Sequence, residues 1–446
     1  MLLLSLLTPA LTSAQPTTRT SEPPGRGSFL GLQQALELAL ENHPLVRQAN
    51  ATLKAATAKT DQARAIYYPH VDAHFDMAAG AGRLNPRFLV GGFLVQQNLS
   101  QYVGGVALSQ RLFDFGYSQQ TVNSALLAEH AQELDINSRQ ALVTLQVQAS
   151  YLMSLKHQRL VQIAEETVRE RGIIKGQIEA LYRQQLKSKL DLDLVQLELT
   201  NAESLLVRAR NGLKSSFANL NRAIGITGAE DYTLEDLPIE IRPQRPLDTL
   251  IGDSLSHPEY RRAKELTASA EAKVTATKRQ YLPTVSAYAS GGDFQVFDSS
   301  RAKASQTGGW WAAGGFVSMP LFTGFLIENQ IQEAKAQKAA AEAASTNIEQ
   351  ALTQQVTNSY LDTISFAQQI KLGEEQVKTA QEALNLAKQR YKLGLGSIVE
   401  VTQAEVGLTG AQTKLAEAQY DYKIAEVTLA YAAGGSAQLQ IDPAMR

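Results

Sequence analysis

Two stretches of the chain, residues 116–182 and 325–391, place apolar side chains at helical spacing over 67 positions without an internal proline. Such a helix would be about 100 Å long at ~1.5 Å per residue, so it needs lateral support from neighbouring helices. Steps of three and four residues are the heptad spacing of helices that pack side by side in a coiled coil. We therefore expect long, laterally packed helices. In the second stretch the steps are made by Val377, Ala380, Leu384, Ala387 and Tyr391. In the helical segment that follows the first stretch they are made by Val195, Leu199, Ala202, Leu206, Ala209 and Leu213.

Each long helical stretch is followed by a short break and then by a second helical stretch. The breaks are residues 184–189 and 392–397, and Gly394 and Gly396 in the second favour reversal of the chain. The return stretches run at about 190–224 and 399–433. Each half of the sequence is thus predicted to contain a long antiparallel helical hairpin, at 116–224 and 325–433.

Other segments alternate with a period of two, which predicts β-strands with one polar and one apolar face. Between residues 71 and 77, Asp72, His74 and Asp76 alternate with four apolar residues, and 102–111 is a candidate return strand. Residues 283–290 and 311–319 occupy the same places in the second half. We expect two β-hairpins, 67–113 and 281–322, with loops at about 82–100 and 291–309. The chain would then contain four strands.

Short sequence motifs in the first half of the chain recur in the second half, at first 214 residues and later 209 residues farther along. The five-residue difference falls between residues 69 and 113, where we expect an exposed loop. The duplication predicts two structural repeats, 28–225 and 248–435, joined by a connecting segment at 226–247. The repeated landmarks are His43-Pro44 with His257-Pro258, Tyr68-Pro69 with Leu282-Pro283, Leu112-Phe113 with Leu321-Phe322, Tyr182 with Tyr391, and Gly225 with Gly434.

The N-terminal residues 1–14 are apolar with small residues at Thr12 and Ala14, which predicts a cleaved signal peptide. The Pro- and Thr-rich residues 15–27 are a predicted linker, and 436–446 a C-terminal tail. No run of 18 apolar residues occurs, so the chain could cross a membrane only as a closed β-barrel. Four strands would leave unpaired edges, whereas three chains with twelve strands would leave none.

Aromatic residues gather near the expected strand ends, as they do at a membrane–water interface. The alternative is that they cap a soluble core. These residues are Tyr67, Tyr68, Phe113, Phe115, Tyr281, Trp310, Trp311 and Phe322.

Composition excludes several classes of protein. The 42 basic and 44 acidic residues nearly balance, so we expect no nucleic-acid partner. The absence of cysteine excludes disulfides, thiolate metal sites and a lipid-modified cysteine. No phosphate-binding loop, H-E-x-x-H motif or nucleophile elbow is present, so we expect no enzyme activity and no cofactor. Without an ATP site, the chain could not itself power an energy-requiring process.

Two β-hairpins, two long helical hairpins and a proline at each helix-to-strand junction resemble the TolC family of outer-membrane efflux proteins. The resemblance covers roughly residues 28–435. Its motifs are Glu41-Asn42-His43-Pro44, Tyr68-Pro69, Leu282-Pro283, Leu112-Phe113-Asp114-Phe115-Gly116, Pro320-Leu321-Phe322-Thr323-Gly324, and residues 390–401.

The resemblance implies a mainly α protein with transmembrane β-strands: a homotrimer whose twelve-stranded β-barrel in the outer membrane continues into an α-helical barrel across the periplasm. It implies contact with outer-membrane lipid, and the export of drugs, metals or proteins together with a periplasmic adaptor and an inner-membrane RND or ABC pump. The connecting segment 226–247 would lie in a belt around the middle of this tunnel.

The resemblance also implies a periplasmic gate at the turns of the helical hairpins. Glu400 and Tyr391 match positions of the family's acidic ring and tyrosine-centred network, and Asp191 matches the acidic member on the first hairpin. Gly396 and Gln403 depart from the family, which has an arginine and an aspartate there. Acids near a helix start could instead reflect the helix dipole. Adaptor docking is expected at turn residues Leu186, Ser188, Gly394, Leu395, Gly396 and Ser397.

The alternating polar residues His70, Asp72, His74 and Asp76 would project from one face of their strand into the barrel lumen. They could form a path for metal ions through the pore, or they could be the ordinary polar wall of a barrel, which is the favoured interpretation.

Two other classes of protein remain open at this point. A structural or adhesive coiled-coil protein would account for the helices but not for two amphipathic β-hairpins at the same places in both halves. A periplasmic adaptor would account for one hairpin and would need a lipoyl-like β domain, which the sequence does not show.

Overall fold

The computed structural model describes residues 29–79, 88–90, 93–95, 99–228, 231–298 and 305–434. The predicted signal peptide, the linker at 15–27 and the tail at 436–446 lie outside the described residues. Contacts divide the chain into two compact units. We call the described residues within 29–43, 146–239 and 375–420 the tip unit, and those within 44–145, 240–374 and 421–434 the sheet unit. Each unit contains segments of both sequence repeats, so the contacts do not follow the repeat boundaries.

The long helices lie within one residue of their predicted positions. Helix α3 spans Tyr117–Arg183 and α7 spans Leu326–Lys392, each with 67 residues. Their return helices are α4, Lys189–Ile224, and α8, Ile398–Ala432. Gly225 follows α4 and Gly434 follows α8, with φ of 85° and 78°. Glycine tolerates this left-handed conformation without strain, which explains its recurrence after both return helices.

Two pairs of shorter helices precede the strands. Helices α1, Leu32–Asn42, and α2, Pro44–Arg64, flank His43, while α5, Leu247–Ser254, and α6, Pro258–Arg279, flank His257. Each proline occupies the first position of a helix, where its missing N–H costs nothing. The His257 side chain caps α6 by accepting a hydrogen bond from the Glu259 N–H at 3.2 Å. The repeated His-Pro landmark is therefore a helix start.

The heptad residues near the turns pack into one apolar cluster of the tip unit. All four hairpin helices contribute to it, so the two hairpins of a chain pack against each other there. Its buried members are Ile178 of α3, Val195 of α4, Leu384 and Ala387 of α7, and Ile398, Val401 and Leu408 of α8. Leu384 is 1% exposed. The predicted heptad contacts are thus confirmed near the turns.

The connecting segment is fastened within the tip unit by a short parallel sheet and a buried tyrosine. Strand β1, Phe29–Leu30, pairs with β6, Thr233–Leu234. The Tyr151 hydroxyl lies 3.0 Å from the carbonyl oxygens of Leu30 and Glu235 and accepts a hydrogen bond from the Glu235 N–H at 2.9 Å. Burial raises the pKa of Tyr151 well above its ordinary value, so the hydroxyl keeps its proton and donates to one of these carbonyls.

The sheet unit contains a four-stranded antiparallel sheet in the order β2-β5-β7-β8. Its strands are β2, His70–Ala79, β5, Leu99–Phe113, β7, Thr284–Asp298, and β8, Ser305–Ser318. Two short strands, β3, Phe88–Val90, and β4, Phe93–Val95, pair with each other. The expected loop at 291–309 is wrong, because β7 and β8 extend through most of it. The glycines there pair in the sheet instead of forming a turn.

Aromatic rings cover several glycines of this sheet. Tyr288 lies opposite Gly314 and Phe294 opposite Gly308, and a Cβ added at either glycine would meet the ring at about 3 Å. Trp310 similarly reaches over Gly105. Trp310 and Trp311 therefore lie inside β8, and the expectation that both mark a strand end is wrong. Trp311, which is 83% exposed, projects from the face that carries the apolar side chains of β2, and Trp310 projects from the opposite face.

Candidate functional site: the turns and the charged seam of the helical hairpins

The first turn closes α3 with a left-handed residue and two backbone hydrogen bonds. Gln185 has φ of 60°, its N–H donates to Tyr182 O at 2.8 Å, and the Leu186 N–H donates to Leu181 O at 2.9 Å. This pattern is the Schellman motif, in which the residue after the helix takes the left-handed conformation. The second turn repeats it at Gly394, with φ of 73°, and at Leu395, whose N–H donates to Arg390 O at 2.9 Å.

Each return helix begins with a serine and an acidic residue three positions later. Ser188 Oγ accepts the Asp191 N–H at 3.1 Å, while Asp191 Oδ2 accepts the Ser188 N–H at 3.2 Å. Ser397 and Glu400 make the same reciprocal contacts at 3.3 and 3.4 Å. Such a capping box satisfies two backbone donors at a helix start. It supplies a local structural reason for both acids of the predicted gate.

Two cationic side chains add contacts at the turns. Arg390 Nε lies 3.5 Å from Glu400 Oε2. Lys187 Nζ lies 4.1 Å from the ring centroid of Tyr391, which joins the first turn to the second helical hairpin by a cation–π contact. A Cβ added at Gly396 would lie 3.0 Å from Glu400 Oε2 and 3.2 Å from Arg390 Cβ. The glycine at this departing position therefore leaves room for the Arg390–Glu400 pair.

The predicted docking residues lie on exposed turns that carry several large apolar side chains. Ser188 and Ser397 cap helices and Gly394 provides the left-handed residue, so part of this set has a structural role. The exposed apolar side chains at the two turns are Leu186, Leu190, Leu393, Leu395 and Val399, between 51% and 73% exposed.

A second group of charges lies in the packed seam of the hairpins, farther from the turns. Lys388 Nζ of α7 lies 3.4 Å from Glu405 of α8 and 3.8 Å from Glu170 of α3. Arg171 of α3 binds Glu198 of α4 through the carboxylate at 2.9 Å and the backbone carbonyl at 2.7 Å. Arg171 is 8% and Glu405 6% exposed. Burial raises the pKa of Glu405, while the nearby cations Lys388 and Arg171 oppose this shift.

The polar residues of β2 share one face of the sheet, as predicted. In the register, Asp72, His74 and Asp76 pair in turn with Ala107, Gly105 and Val103 of β5. His70 Nε2 lies 3.2 Å from Asp72 Oδ1, and His74 faces the Trp310 ring at a centroid distance of 6.1 Å. Among the described residues no group of three or more His, Cys, Asp or Glu side chains is arranged to hold a metal ion.

Sequence reasoning placed Asp191, Tyr391 and Glu400 at the turns, and the structure brings Tyr391 and Glu400 each to a cationic partner. It missed Lys187, Arg390 and the charges of the seam. A signal for the seam was present in the heptad spacing. Arg171 falls in the series Ala164, Thr167, Arg171, Ile174, Ile178, and Glu405 falls between Val401 and Leu408. A charge at a core heptad position is costly unless it is paired, so it marks a special contact.

None of the helices among the described residues combines the length and the apolar character needed to span a membrane. A model of the family described as "Outer membrane efflux protein" matches residues 35–226 and 255–435. These segments make up most of the chain, so the protein belongs to the outer membrane efflux protein family. It is a protein of the outer membrane.

Individual relatives agree with this assignment. The chain is 27% identical over 433 residues to protein CyaE of Bordetella pertussis, covering 94% of this chain and 87% of CyaE. It is 22% identical over 428 residues to the outer membrane protein TolC of Escherichia coli, covering 90% and 82%. The solved open state of the MtrE outer membrane channel of Neisseria gonorrhoeae superimposes with a TM-score of 0.73 at 20% identity, covering 91% of this chain and 89% of MtrE. The structural likeness supports the fold alone.

Proposed function

We propose that the protein is a homotrimeric exit duct through the outer membrane. The duct itself is passive, and partner proteins supply the energy for transport. The observation that carries this is the sheet: among the described residues, β2 and β8 are edge strands with one partner each. Edge strands expose unpaired backbone groups, which a hydrocarbon environment cannot satisfy. Pairing β8 of one chain with β2 of the next around a threefold axis gives twelve strands and leaves no edge.

The polarity of the two faces of strand β2 supports the same arrangement. Exposed apolar side chains, such as Val71, Phe75 and Met77 of β2, lie on one face, which would contact lipid. Asp72, His74 and Asp76 lie on the other, which would line a water-filled lumen. The test is the particle mass in detergent after subtraction of the micelle, together with conductance in planar bilayers. Three chains and a conducting pore are expected, and a monodisperse monomer that still inserts into bilayers would exclude the barrel.

We further propose that the turns dock a periplasmic adaptor, which connects the duct to an inner-membrane RND or ABC pump. The exposed leucines at both turns supply apolar contact area on two rigid hairpins. Replacing Leu186 and Leu395 with serine should weaken adaptor binding about tenfold or more, the scale set by losing two apolar anchors. Leu372, an exposed leucine of α7 outside the turns, is the matched control. Unchanged binding of the double variant, measured with the purified adaptor, would count against docking at the turns.

The gate is proposed at the same turns. Glu400 would bring three carboxylates toward the threefold axis, with Arg390 holding the side chain and Lys187 linking Tyr391 to the first hairpin. Glu400→Gln is a sharp test, because glutamine also completes a capping box while removing the charge. The cation selectivity of single channels should fall relative to the parent chain, while the thermal stability should be unchanged. If selectivity is unchanged, Glu400 serves only as a cap. Asp191→Asn is expected to have a smaller effect.

A further inference from the structure

Lys388 lies between two carboxylates that belong to different helical hairpins. Glu405 is on α8, the return helix of its own hairpin, and Glu170 is on α3 of the other hairpin, at 3.4 and 3.8 Å. Glu405 is buried, whereas the Glu170 side chain is 52% exposed. Of these two contacts of Lys388, the one with Glu170 connects the two hairpins. The partner that Lys388 selects therefore decides whether this charge holds the hairpins together.

The surroundings of Glu405 allow the charge of its carboxyl group to change. A cavity of about 50 Å³ lies between α3, α7 and α8, lined mainly by polar side chains that include Thr167, Glu166 and Gln412. Within the described part of the chain, Arg171 Nε is buried without a hydrogen-bond partner, and Glu405 Oε1 is buried and lies 3.4 Å from Lys388 Nζ. A polar cavity of this size has room for water next to both atoms. A carboxyl group in this position has the space and the solvent contact to gain or lose a proton without repacking the helices.

The charged groups that face Glu405 come from every helix packed around it. They are Glu166, Glu170 and Arg171 of α3, Glu198 of α4 by way of Arg171, and Lys388 of α7. Acids outnumber cations in this group. Ionised Glu405 therefore competes with Glu170 for the single lysine, while protonated Glu405 leaves the lysine to Glu170.

We propose that Lys388 is the moving part of a proton-controlled latch between the hairpins, a second control point of the gate beyond the turns. With Glu405 ionised, Lys388 is held inside its own hairpin and the hairpins separate more easily. With Glu405 protonated, Lys388 pairs with Glu170 and holds the hairpins together. This deepens the proposed gate and rests on the proposed duct function.

The two acids give the proposal a distinctive test, because their neutral variants should act in opposite directions. The hydroxyl oxygens of Thr167 and Thr409 lie 3.4 Å apart across the two hairpins. The chain has no cysteine, so Thr167→Cys with Thr409→Cys creates a single thiol pair that reports hairpin proximity. With a fixed oxidant in detergent, Glu405→Gln should raise the rate of disulfide formation about threefold, and Glu170→Gln should lower it by a similar factor, as for a partly exposed ion pair. Glu166→Gln, which lines the same cavity, is the matched control and should leave the rate unchanged.

The proton dependence is read from rates at pH 6 and pH 7.5 that are corrected for the thiolate fraction of each variant, measured by alkylation of the reduced protein. The correction is needed because the substituted carboxylates line the same cavity as the thiols and shift the thiol pKa. The rate of the parent relative to Glu405→Gln should rise toward one on acidification. Lys388→Gln should remove the difference between the two acid variants. Shifts of both acid variants in the same direction, or a pH-independent ratio, would overturn the latch. Conductance of the parent chain in planar bilayers is measured separately: a conducting parent without opposite shifts removes the latch and keeps the duct, and a non-conducting parent removes the duct.

Discussion

Gln185 and Gly394 adopt the same left-handed backbone conformation at the ends of the two long helices, with φ of 60° and 73°. They lie at equivalent places in the repeat, since 185 plus 209 is 394. Both are followed by a leucine whose N–H closes the turn with the same hydrogen bond. Glutamine and glycine therefore adopt the same turn geometry, but the conformational free energy of that geometry differs between them. A side chain in the left-handed region loses about 1 kcal/mol relative to glycine.

Gln185→Gly should stabilise the first turn by about 1 kcal/mol, because it removes this strain. The reverse change, Gly394→Gln, should destabilise the second turn by a similar amount. The measurement is the midpoint of thermal loss of helical circular dichroism in detergent. A lower midpoint for Gln185→Gly would mean that the Gln185 side chain makes a compensating contact.

Tyr151→Phe should loosen the connecting segment. The change removes the hydroxyl that accepts from the Glu235 N–H and donates to a neighbouring carbonyl, leaving buried polar groups unsatisfied at a cost of about 1–3 kcal/mol. Amide hydrogen exchange at residues 233–236 should accelerate, with little change in the turns. Tyr288→Phe, a tyrosine of the sheet, serves as the control and should leave exchange at this segment unaltered.

His257 should make the protein less stable in mild acid. Burial lowers its pKa from the ordinary value of 6.5. Above pH 6.5 the imidazole is neutral in both the folded and the unfolded chain. As the pH falls below 6.5, the unfolded chain binds a proton that the folded chain binds only at lower pH. Stability is therefore lost from pH 6.5 down to the folded pKa, by at most about 1.4 kcal/mol per pH unit for one proton.

The matched variant for this effect is His257→Asn, since asparagine is a strong N-cap that does not titrate. Unfolding midpoints measured between pH 7.5 and 5 should show a shallower slope for His257→Asn than for the parent. Burial also lowers the pKa of His43 and His157, so a residual slope is expected. Identical slopes would show that His257 is protonated equally in both states.

Gly292→Ala should impair assembly of the sheet. A Cβ at this position would overlap the Gly104 carbonyl of the adjacent strand β5. Gly315→Ala is the control, because its Cβ would meet only the Ser286 carbonyl at an ordinary 3.5 Å. The yield of folded protein in the membrane fraction should fall for Gly292→Ala alone. Equal yields would mean that β5 and β7 are farther apart than their pairing indicates.

The helical part could be predicted to within one residue because the evidence for it is local. Helices α3 and α7 each run for 67 residues without proline, and their ends coincide with turn residues such as Gly394. The sheet was less predictable. Gly291, Gly292, Gly308 and Gly309 suggested a loop, whereas in the structure they pair across β7 and β8. Glycine is compatible with a strand when an aromatic ring from a neighbouring strand covers it, and that neighbour is fixed only by register.

The sequence by itself determined the duplicated plan, the two helical hairpins, the alternation of polar and apolar residues on β2, and the acids at the turns, because each depends on residues a few positions apart. Only the tertiary structure decided the long-range partners. Tyr391 lies under Lys187 of the other hairpin, and Lys388 lies between Glu405 and Glu170. The capping boxes of Asp191 and Glu400 are again local, because each acid pairs with a serine three positions earlier. Contacts between residues some 200 positions apart depend on the rotation and offset of packed helices, and a periodic pattern specifies which face of a helix is buried but not what it meets.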